Sequence, residues 1–235
     1  MHDDSLTRER EDLLDAIRQE ARLTERWTGR SHFSPAVMRA MARVPREQFV
    51  PDDLRRHAYA NEPLPIGDGQ TISQPYIVAL MTDLIDPAPD DVVLDVGTGS
   101  GYQAAVVSLL VRQVYGIEVL DTLADAAAAR LRRLGYANVA VRAGDGNAGC
   151  PEHAPYDAII VAATAPAIPP ALIEQLKPGG RMVIPIGQRH REQHLVRVVK
   201  DQAGHVHERS VLPVAFVPLV TPSPSPLEGE GRGEG

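Results

Sequence analysis

Short apolar runs alternate with helical patterns between residues 89 and 200. Helical spacing of apolar residues marks 104–111 and 120–134, and the second of these segments ends before Gly135. The apolar runs indicate buried strands, and they span 92–96, 114–119, 139–143, 157–163 and 181–186. Strands separated by helices predict a parallel sheet with helices on both faces.

Two further apolar runs, 194–201 and 210–220, follow with no clear helix between them. We expect them to form a terminal hairpin that brings an antiparallel strand into the sheet. The whole pattern therefore predicts an α/β fold, with a doubly wound, Rossmann-like sheet that is mostly parallel and has a C-terminal antiparallel strand.

Helical periodicity also marks the N-terminal part of the chain, which we expect to form a helical extension. One apolar face indicates a polar helix to about residue 30, and it consists of Leu13, Leu14, Ile17 and Ala21. Ser34-Pro35 predicts the start of a second helix that ends at Arg43, before Pro45. A third helix follows Pro75, and its predicted buried face consists of Ile77, Leu80, Met81 and Leu84.

The composition changes sharply at the end of the chain. The final stretch, 221–235, consists mostly of Pro, Gly, Ser and Glu. Such residues bury too little apolar area to offset the entropy lost on ordering, so we predict that this stretch is disordered. The predicted regions are a helical extension with an active-site lid (1–88), a Rossmann-like core (89–220) and a disordered tail (221–235).

The overall charge limits the partners that this chain is expected to bind. The net charge is −7 and the pI is near 5.6, which argues against nucleic acid and against an acidic membrane surface. The N-terminal residues lack the apolar core of a signal peptide, and no stretch reaches the roughly 20 apolar residues of a membrane helix. We therefore expect a cytoplasmic protein with neither kind of partner.

Neither a disulfide nor a metal centre is expected. Cys150 is the one cysteine, which excludes an internal disulfide and a cysteine-based metal site. His190 and His194 lie four residues apart in a predicted strand, and they match neither orientation of the helical zinc motif.

A glycine-rich turn, residues 95–101, closes the first strand of the predicted sheet and opens a helix. Glycine lets the backbone approach a ligand, and doubly wound sheets bind ligands at the carboxyl ends of their strands. Glu118 ends the next strand, where an acidic side chain can accept hydrogen bonds from ribose hydroxyls. Tyr102 holds the last glycine position of the dinucleotide motif, and the chain has neither a P-loop nor a nucleophile elbow. The turn therefore predicts a cofactor crevice of another kind.

Two more positions each have two interpretations. Asp145 follows the third strand on the same rim and can accept from an adenine amino group, but an ordinary Asp-Gly turn explains it equally well. Ser73 lies at the start of the third helix, where free N–H groups favour a carboxylate ligand. A simple helix cap, worth ~1 kcal/mol, is the interpretation that the bare sequence favours for Ser73.

Several segments together resemble the protein-L-isoaspartate O-methyltransferases, which are class I S-adenosylmethionine-dependent methyltransferases. The resemblance covers roughly residues 35–220, and its segments are 44–51, 69–81, 93–106, 156–163, 176–187 and 216–219. The ISQP sequence within 69–81, joined to GTGSGYQ within 93–106, is highly specific to that family.

The resemblance implies transfer of a methyl group from S-adenosylmethionine to the α-carboxylate of L-isoaspartyl residues in damaged proteins, with S-adenosylhomocysteine as product. The ester then cyclises to a succinimide, whose hydrolysis restores some aspartate. The resemblance also implies that the protein is a monomer that needs no metal, and that Ser73 is the active-site residue. It places the cofactor on Gln74, Asp95, Gly97, Thr98, Gly99, Gly101, Glu118, Asp145 and Gly146.

Three other functions remain as alternatives. The first is a related methyltransferase acting on another carboxylate in a peptide. The second is a non-catalytic S-adenosylmethionine-binding protein, which the intact motif residues disfavour. The third is a nicotinamide-dependent oxidoreductase, which the glycine spacing disfavours.

Some positions depart from the family pattern. Asp68 stands where an aromatic residue or His is common, so we expect the lid to carry a different charge. Ala215 stands where a basic residue is frequent, which we expect to weaken recognition of the peptide carboxylate. Residues 163–166 vary an Ala-Ala-Pro run, and we expect a small effect there.

Overall fold

The computed structural model describes residues 2–188 and 191–221, so His190 and the predicted disordered stretch from 222 onward lie outside the described residues. The helices are α1 (His2–Thr28), α2 (Pro35–Arg43), α3 (Pro75–Leu84), α4 (Tyr102–Ser108), α5 (Asp121–Arg133) and α6 (Pro170–Glu174). The strands are β1 (Leu64–Gly67), β2 (Gln70–Ile72), β3 (Val92–Val96), β4 (Gln113–Glu118), β5 (Val139–Ala143), β6 (Tyr156–Val161), β7 (Leu176–Gly187), β8 (Gln193–Lys200) and β9 (Val206–Val214).

The main sheet has seven strands in the order β5-β4-β3-β6-β7-β8-β9. The pairs from β5 to β7 are parallel, whereas β8 is antiparallel to β7 and to β9. The predicted doubly wound, mostly parallel sheet with a terminal antiparallel hairpin is therefore confirmed. The chain order reverses between β3 and β6, and such a switch point opens a crevice at the carboxyl ends of the strands.

The central strands are buried on both faces, which explains why they are apolar almost throughout. Successive side chains of a strand point to opposite faces, so Val93 joins one hydrophobic cluster and Leu94 joins the other. The first cluster also contains the apolar faces of the N-terminal helices, including Ile17 and Leu80. The extension and the sheet therefore share one continuous core.

Helix α1 lies against α2, α3 and β9. Leu13, Ile17 and Ala21 on its predicted apolar face are buried, and Leu14 is partly buried against the same core. Ser34 caps α2 as predicted, because its hydroxyl accepts a hydrogen bond from the Val37 N–H at 3.2 Å.

Helix α3 is enclosed on more sides than its sequence predicts. Leu80, Met81 and Leu84 are buried as expected, but Ile77 is only half-buried and the opposite face is buried too. Tertiary packing explains the extra burial, because α3 contacts α1, α2 and α4. No helix in the described part of the chain has the length and apolar character needed to cross a membrane.

Three segments differ from the sequence-based expectations. Residues 64–72 form a small antiparallel hairpin, β1-β2, within the stretch expected to be a turn-rich lid. Strand β7 begins at Leu176 and passes through the predicted 177–180 turn as a bulge opposite β6. Strand β9 ends at Val214, so the predicted strand 210–220 is too long, and the chain beyond it crosses to Thr164.

Candidate active site

The glycine-rich turn is fixed to the end of β4 by backbone hydrogen bonds. The N–H groups of Gly97 and Thr98 both donate to the Ile117 carbonyl, at 2.8 and 3.2 Å. Gly97 has a φ of 78°, in the left-handed region that favours glycine. A Cβ on Gly97 would lie 3.7 Å from Ala163 Cβ, so glycine keeps this part of the crevice open.

Gly101 allows the helix after the turn to lie close to its neighbour. It begins α4 with a φ of 89°, and an added Cβ would lie 3.0 Å from Leu131 Cδ1 on α5. Its contacts are therefore with protein, and Gly101 shapes the turn by helix packing.

Glu118 is only 5% exposed and closes the turn from the β4 side. Its carboxylate accepts hydrogen bonds from the Gly99 N–H at 2.8 Å and from the Leu120 N–H at 3.1 Å. Each carboxylate oxygen can accept a second hydrogen bond, so this side chain can also receive hydroxyl donors from a ligand.

A crevice, named here the main cavity, lies at the switch point between β3 and β6, at the carboxyl ends of the strands where doubly wound sheets bind ligands. Its lining residues are Gln70, Thr71, Gly97, Gly99, Ile117, Glu118, Val119, Gly146, Ala162, Ala163 and Val217 to Val220. Glu118 is the charged group among them.

Asp95 lies beneath the turn and is 1% exposed. Neither carboxylate oxygen has a hydrogen-bond partner within the described residues. Burial raises the pKa of Asp95 to about 7, and the nearby Glu118 charge acts in the same direction, while the neighbouring Thr98 hydroxyl, which donates to the Asp95 backbone carbonyl, acts in the opposite direction. An unpaired buried carboxylate is costly, so a donor from a ligand would stabilise it. Asp95 itself is not among the residues that line the main cavity or the smaller cavity beside Ser73.

Ser73 lies one residue before Gln74, which begins α3 without a side-chain cap. The Asn61 Oδ1 instead accepts the hydrogen bond from the Tyr76 N–H in the first turn, at 2.9 Å. The Ser73 hydroxyl has no hydrogen-bond partner in the described part of the chain. The simple capping interpretation of Ser73 is therefore wrong.

Ser73 lines two cavities that meet beside it. The inner one, of about 330 Å³, shares Thr71, Gly97 and Gly99 with the crevice at the switch point. The outer one is an open groove of about 940 Å³, and it is lined by Glu20, Pro63, Thr71, Ser73, Gln74, Tyr76, Ile77 and Leu212 to Phe216. Ser73 thus lines both the inner cavity and the surface groove.

Sequence comparison identifies the family to which this arrangement belongs. A model of the protein-L-isoaspartate(D-aspartate) O-methyltransferase family matches residues 18–223. The protein-L-isoaspartate O-methyltransferase 2 of Syntrophobacter fumaroxidans is 55% identical over 217 residues, which are 92% of this chain and 88% of that relative. The chain belongs to this methyltransferase family. A second relative, protein-L-isoaspartate O-methyltransferase 1 of Cupriavidus necator, is 55% identical over 218 residues, covering 93% of this chain and 84% of the relative.

Solved structures of the same family share the fold. A protein-L-isoaspartate O-methyltransferase superposes with a TM-score of 0.76 at 28% identity, covering 89% of this chain and 65% of the other. A putative family member from Plasmodium falciparum, solved in complex with S-adenosyl-L-homocysteine, gives a TM-score of 0.72 at 23% identity, covering 89% and 97% of the two chains. These likenesses confirm the Rossmann-like methyltransferase fold.

Most of the cofactor residues that the resemblance implies lie around one crevice. Gly97, Gly99, Glu118 and Gly146 line the main cavity, and Thr98 lines the inner cavity together with Ser73. The described residues include no group of three His, Cys, Asp or Glu side chains suited to a metal ion.

In two of the implied residues, the polar groups form hydrogen bonds with other residues of the protein. The Asp145 carboxylate accepts from the N–H and the side-chain amide of Asn147, at 2.9 and 3.0 Å. The Gln74 amide donates to the Glu20 carboxylate at 3.0 Å and faces the outer groove. The cofactor-binding roles of Asp145 and Gln74 stay predictions.

Segment 217–220 is a part of the site that the sequence did not single out. The Thr164 N–H donates to the Val217 carbonyl and the Leu219 N–H donates to the Thr164 carbonyl, both at 2.8 Å. An added Cβ on Gly146 would lie 2.7 Å from Leu219 Cδ1, so the lack of a side chain at Gly146 lets segment 217–220 pack against the turn after β5. Residues 216–219 were one of the segments that carry the family resemblance, but nothing in the sequence indicated that they line the site.

The two main departures from the family pattern both lie beside the grooves. Asp68 is exposed at the β1–β2 turn with a φ of 51°, and its carboxylate accepts from the Thr122 hydroxyl at 3.5 Å. Ala215 lines the outer groove next to Phe216. Their expected effects on substrate binding stay predictions.

Proposed function

We propose that this chain transfers a methyl group from S-adenosylmethionine to the α-carboxylate of L-isoaspartyl residues in proteins, and that Ser73 orients that carboxylate. Membership of the family makes the chain an S-adenosylmethionine-dependent protein carboxyl O-methyltransferase. The observation that carries the role of Ser73 is its unpaired hydroxyl, placed where the inner cavity and the open groove share lining residues.

The residues around the crevice fit the proposed cofactor in charge and in space. Glu118 has accepting capacity for ribose hydroxyls, and the unpaired Asp95 carboxylate suits the ammonium group of the methionine part. Gly97 leaves the backbone accessible to the ligand at the switch point. When bound, the cofactor supplies a methyl group already activated by the sulfonium.

The acceptor requires little further activation from the protein. A carboxylate is ionised at neutral pH, so its oxygen attacks the methyl carbon without a general base. The contribution left to the chain is to hold one oxygen in line with that carbon and to exclude water. Ser73 and the start of α3 lie at the place where such an oxygen would enter from the groove.

The open groove supports a peptide as the acceptor. Its lining combines the polar residues around Ser73 with apolar residues that suit an extended peptide, among them Pro63, Ile77 and the chain from Leu212 to Phe216. Isoaspartyl proteins are the substrates named for the family, and D-aspartyl residues appear in the family description. A cytoplasmic, monomeric protein without nucleic-acid or membrane partners remains our expectation, and light scattering checks the oligomeric state.

Replacement of Ser73 tests its proposed role. Ser73→Ala is expected to lower kcat on an isoaspartyl peptide by on the order of 10–100-fold, because misplacing a reacting oxygen is costly in an in-line transfer. Cofactor affinity, measured by calorimetry, should stay unchanged. The exposed Ser210→Ala variant is the matched control. A folded Ser73→Ala protein with full turnover would contradict the proposal.

A further inference from the structure

We propose that Asn61 and Glu20 are positioning residues for methyl transfer, because together they keep the Ser73 hydroxyl free to meet the substrate carboxylate. The two residues, with Gln74, are named here the Glu20 clamp. This inference rests on the role proposed above for Ser73.

One carboxylate joins three separate parts of the chain. The Glu20 Oε2 on α1 accepts from the Asn61 side-chain amide at 2.7 Å and from the Gln74 side-chain amide at 3.0 Å. The Asn61 Oδ1 in turn accepts from the Tyr76 N–H at 2.9 Å. The clamp therefore links α1, the loop before β1 and the first turn of α3, directly beside Ser73.

Asn61 takes a role that Ser73 would otherwise fill. In α2, the Ser34 hydroxyl accepts from the N–H of the residue three positions later, Val37. Ser73 likewise precedes Tyr76 by three residues, although it lies one position before the N-cap residue Gln74, and the Tyr76 N–H is already bonded to Asn61. Without Asn61, the Tyr76 N–H needs a new acceptor, and the Ser73 hydroxyl is placed in sequence to provide it. That bond would draw the hydroxyl away from the substrate.

Glu20 fixes the Asn61 amide in the orientation that this capping requires. Because its carboxylate only accepts hydrogen bonds, it holds the amide nitrogen of Asn61 and leaves the amide oxygen for Tyr76. Helix α1 does not depend on Glu20 for its own position. Ile17 and Ala21 are fully buried, and the Thr24 hydroxyl lies 2.6 Å from the Tyr76 hydroxyl.

The test is a cycle of variants in the full-length protein, with kcat and KM measured for an isoaspartyl peptide. Asn61→Ala is expected to lower kcat roughly tenfold and to change the peptide KM less than twofold, since substrate contacts are kept. In a Ser73→Ala background, Asn61→Ala should cause no further loss, because its effect passes through the missing hydroxyl. An unchanged kcat, or the same loss in both backgrounds, would overturn the proposal.

A paired exchange guards against simple misfolding. Asn61→Asp alone is expected to lower kcat, because its carboxylate faces the acceptor-only carboxylate of Glu20 with no donor between them. Glu20→Gln combined with Asn61→Asp swaps donor and acceptor, keeps an oxygen for Tyr76 and should restore at least half of kcat at equal Tm. Failure to restore it in a folded protein contradicts the clamp. The control is Glu25→Gln, which removes one negative charge from an exposed position on the same helix, α1.

The two proposals fail in different ways. Full turnover of Ser73→Ala removes the proposed role of Ser73, and the clamp proposal falls with it. A large loss in Ser73→Ala, together with wild-type kcat in Asn61→Ala, removes only the clamp.

Discussion

Asp95 is the residue whose chemistry depends most on its surroundings. Its carboxylate is held out of water without a partner in the described chain, and burial raises its pKa to about 7. A carboxylate that is protonated below neutrality and ionised above it is suited to a cationic ligand group, since the ligand replaces the missing hydrogen-bond partners.

This environment predicts a pH-dependent stability of the ligand-free protein. An unfolded Asp ionises near its ordinary pKa, so between about pH 4 and 7 the folded state holds a proton that the unfolded state has lost. The contribution of Asp95 to stability is therefore largest at low pH and falls as pH rises toward 7. Denaturant unfolding of wild type and Asp95→Asn across this range measures it, and the exposed Asp90→Asn variant is the control.

Cofactor binding should show the opposite dependence. If the ionised Asp95 meets the ammonium group, affinity for S-adenosylmethionine rises from pH 5.5 to 7, by up to about tenfold per pH unit. Calorimetry on Asp95→Asn should give a lower affinity with little pH dependence. A variant that binds as tightly as wild type at pH 7 would exclude a direct contact.

At Gly101, packing and backbone conformation both require glycine. The residue has a φ of 89°, and a Cβ would lie 3.0 Å from Leu131 Cδ1. Gly101→Ala is therefore expected to destabilise the fold by about 1–3 kcal/mol. Urea unfolding checks this, with Gly135→Ala as a comparison that shares the left-handed φ but has open space around it. Equal losses in the two variants would show that packing against α5 contributes nothing.

At the scale of elements, the segment 217–220 closes the main cavity after β9 has ended. It is held by two backbone hydrogen bonds to Thr164, and its apolar side chains line the cavity wall. If the cofactor occupies this cavity, shortening one of them removes apolar cover and leaves the polar contacts in place. We therefore expect the segment to contribute to affinity through burial of apolar area.

Leu219→Ala tests this contribution. We expect a loss of about 1 kcal/mol in cofactor binding, or roughly a fivefold weaker affinity, for the apolar area that is no longer buried. The comparison variant is Val206→Ala, on the exposed start of β9. Equal affinities in Leu219→Ala and wild type would mean that the segment does not cover the cofactor.

Elements with strong local signals were predicted well. Strand β5 has the predicted bounds, and α5 ends just before Gly135, whose φ of 84° suits a helix end. Elements that depend on contacts between distant residues were predicted poorly. The β1–β2 hairpin depends on pairing between very short strands, and β7 passes through a turn-like sequence because β6 pairs on both sides of the bulge.

In the candidate site, too, only the features with a local sequence signal could be predicted. The glycine-rich turn and Glu118 follow from strand ends that the sequence marks locally, so their meeting at one crevice could be predicted. The unpaired state of Asp95 and the capping of α3 by Asn61 could not, because each depends on residues far apart in the chain. No local pattern indicates that an Asn in a loop will accept from a helix fifteen residues later.

For the whole molecule, the two sides of the site come from different parts of the chain. The core supplies most of the crevice at the switch point, and the N-terminal extension supplies Ser73 and one wall of the groove. Both share one hydrophobic cluster, which holds α1 and α3 in the same core as one face of the sheet. The predicted division at residue 88 stays a prediction.

The central claim is most directly tested by methyl transfer from labelled S-adenosylmethionine to a matched pair of peptides, one isoaspartyl and one aspartyl. The account predicts base-labile labelling of the isoaspartyl peptide, with little labelling of its aspartyl partner. Labelling of the aspartyl peptide alone, or of neither peptide while cofactor binding is intact, would contradict it and indicate a different carboxylate acceptor.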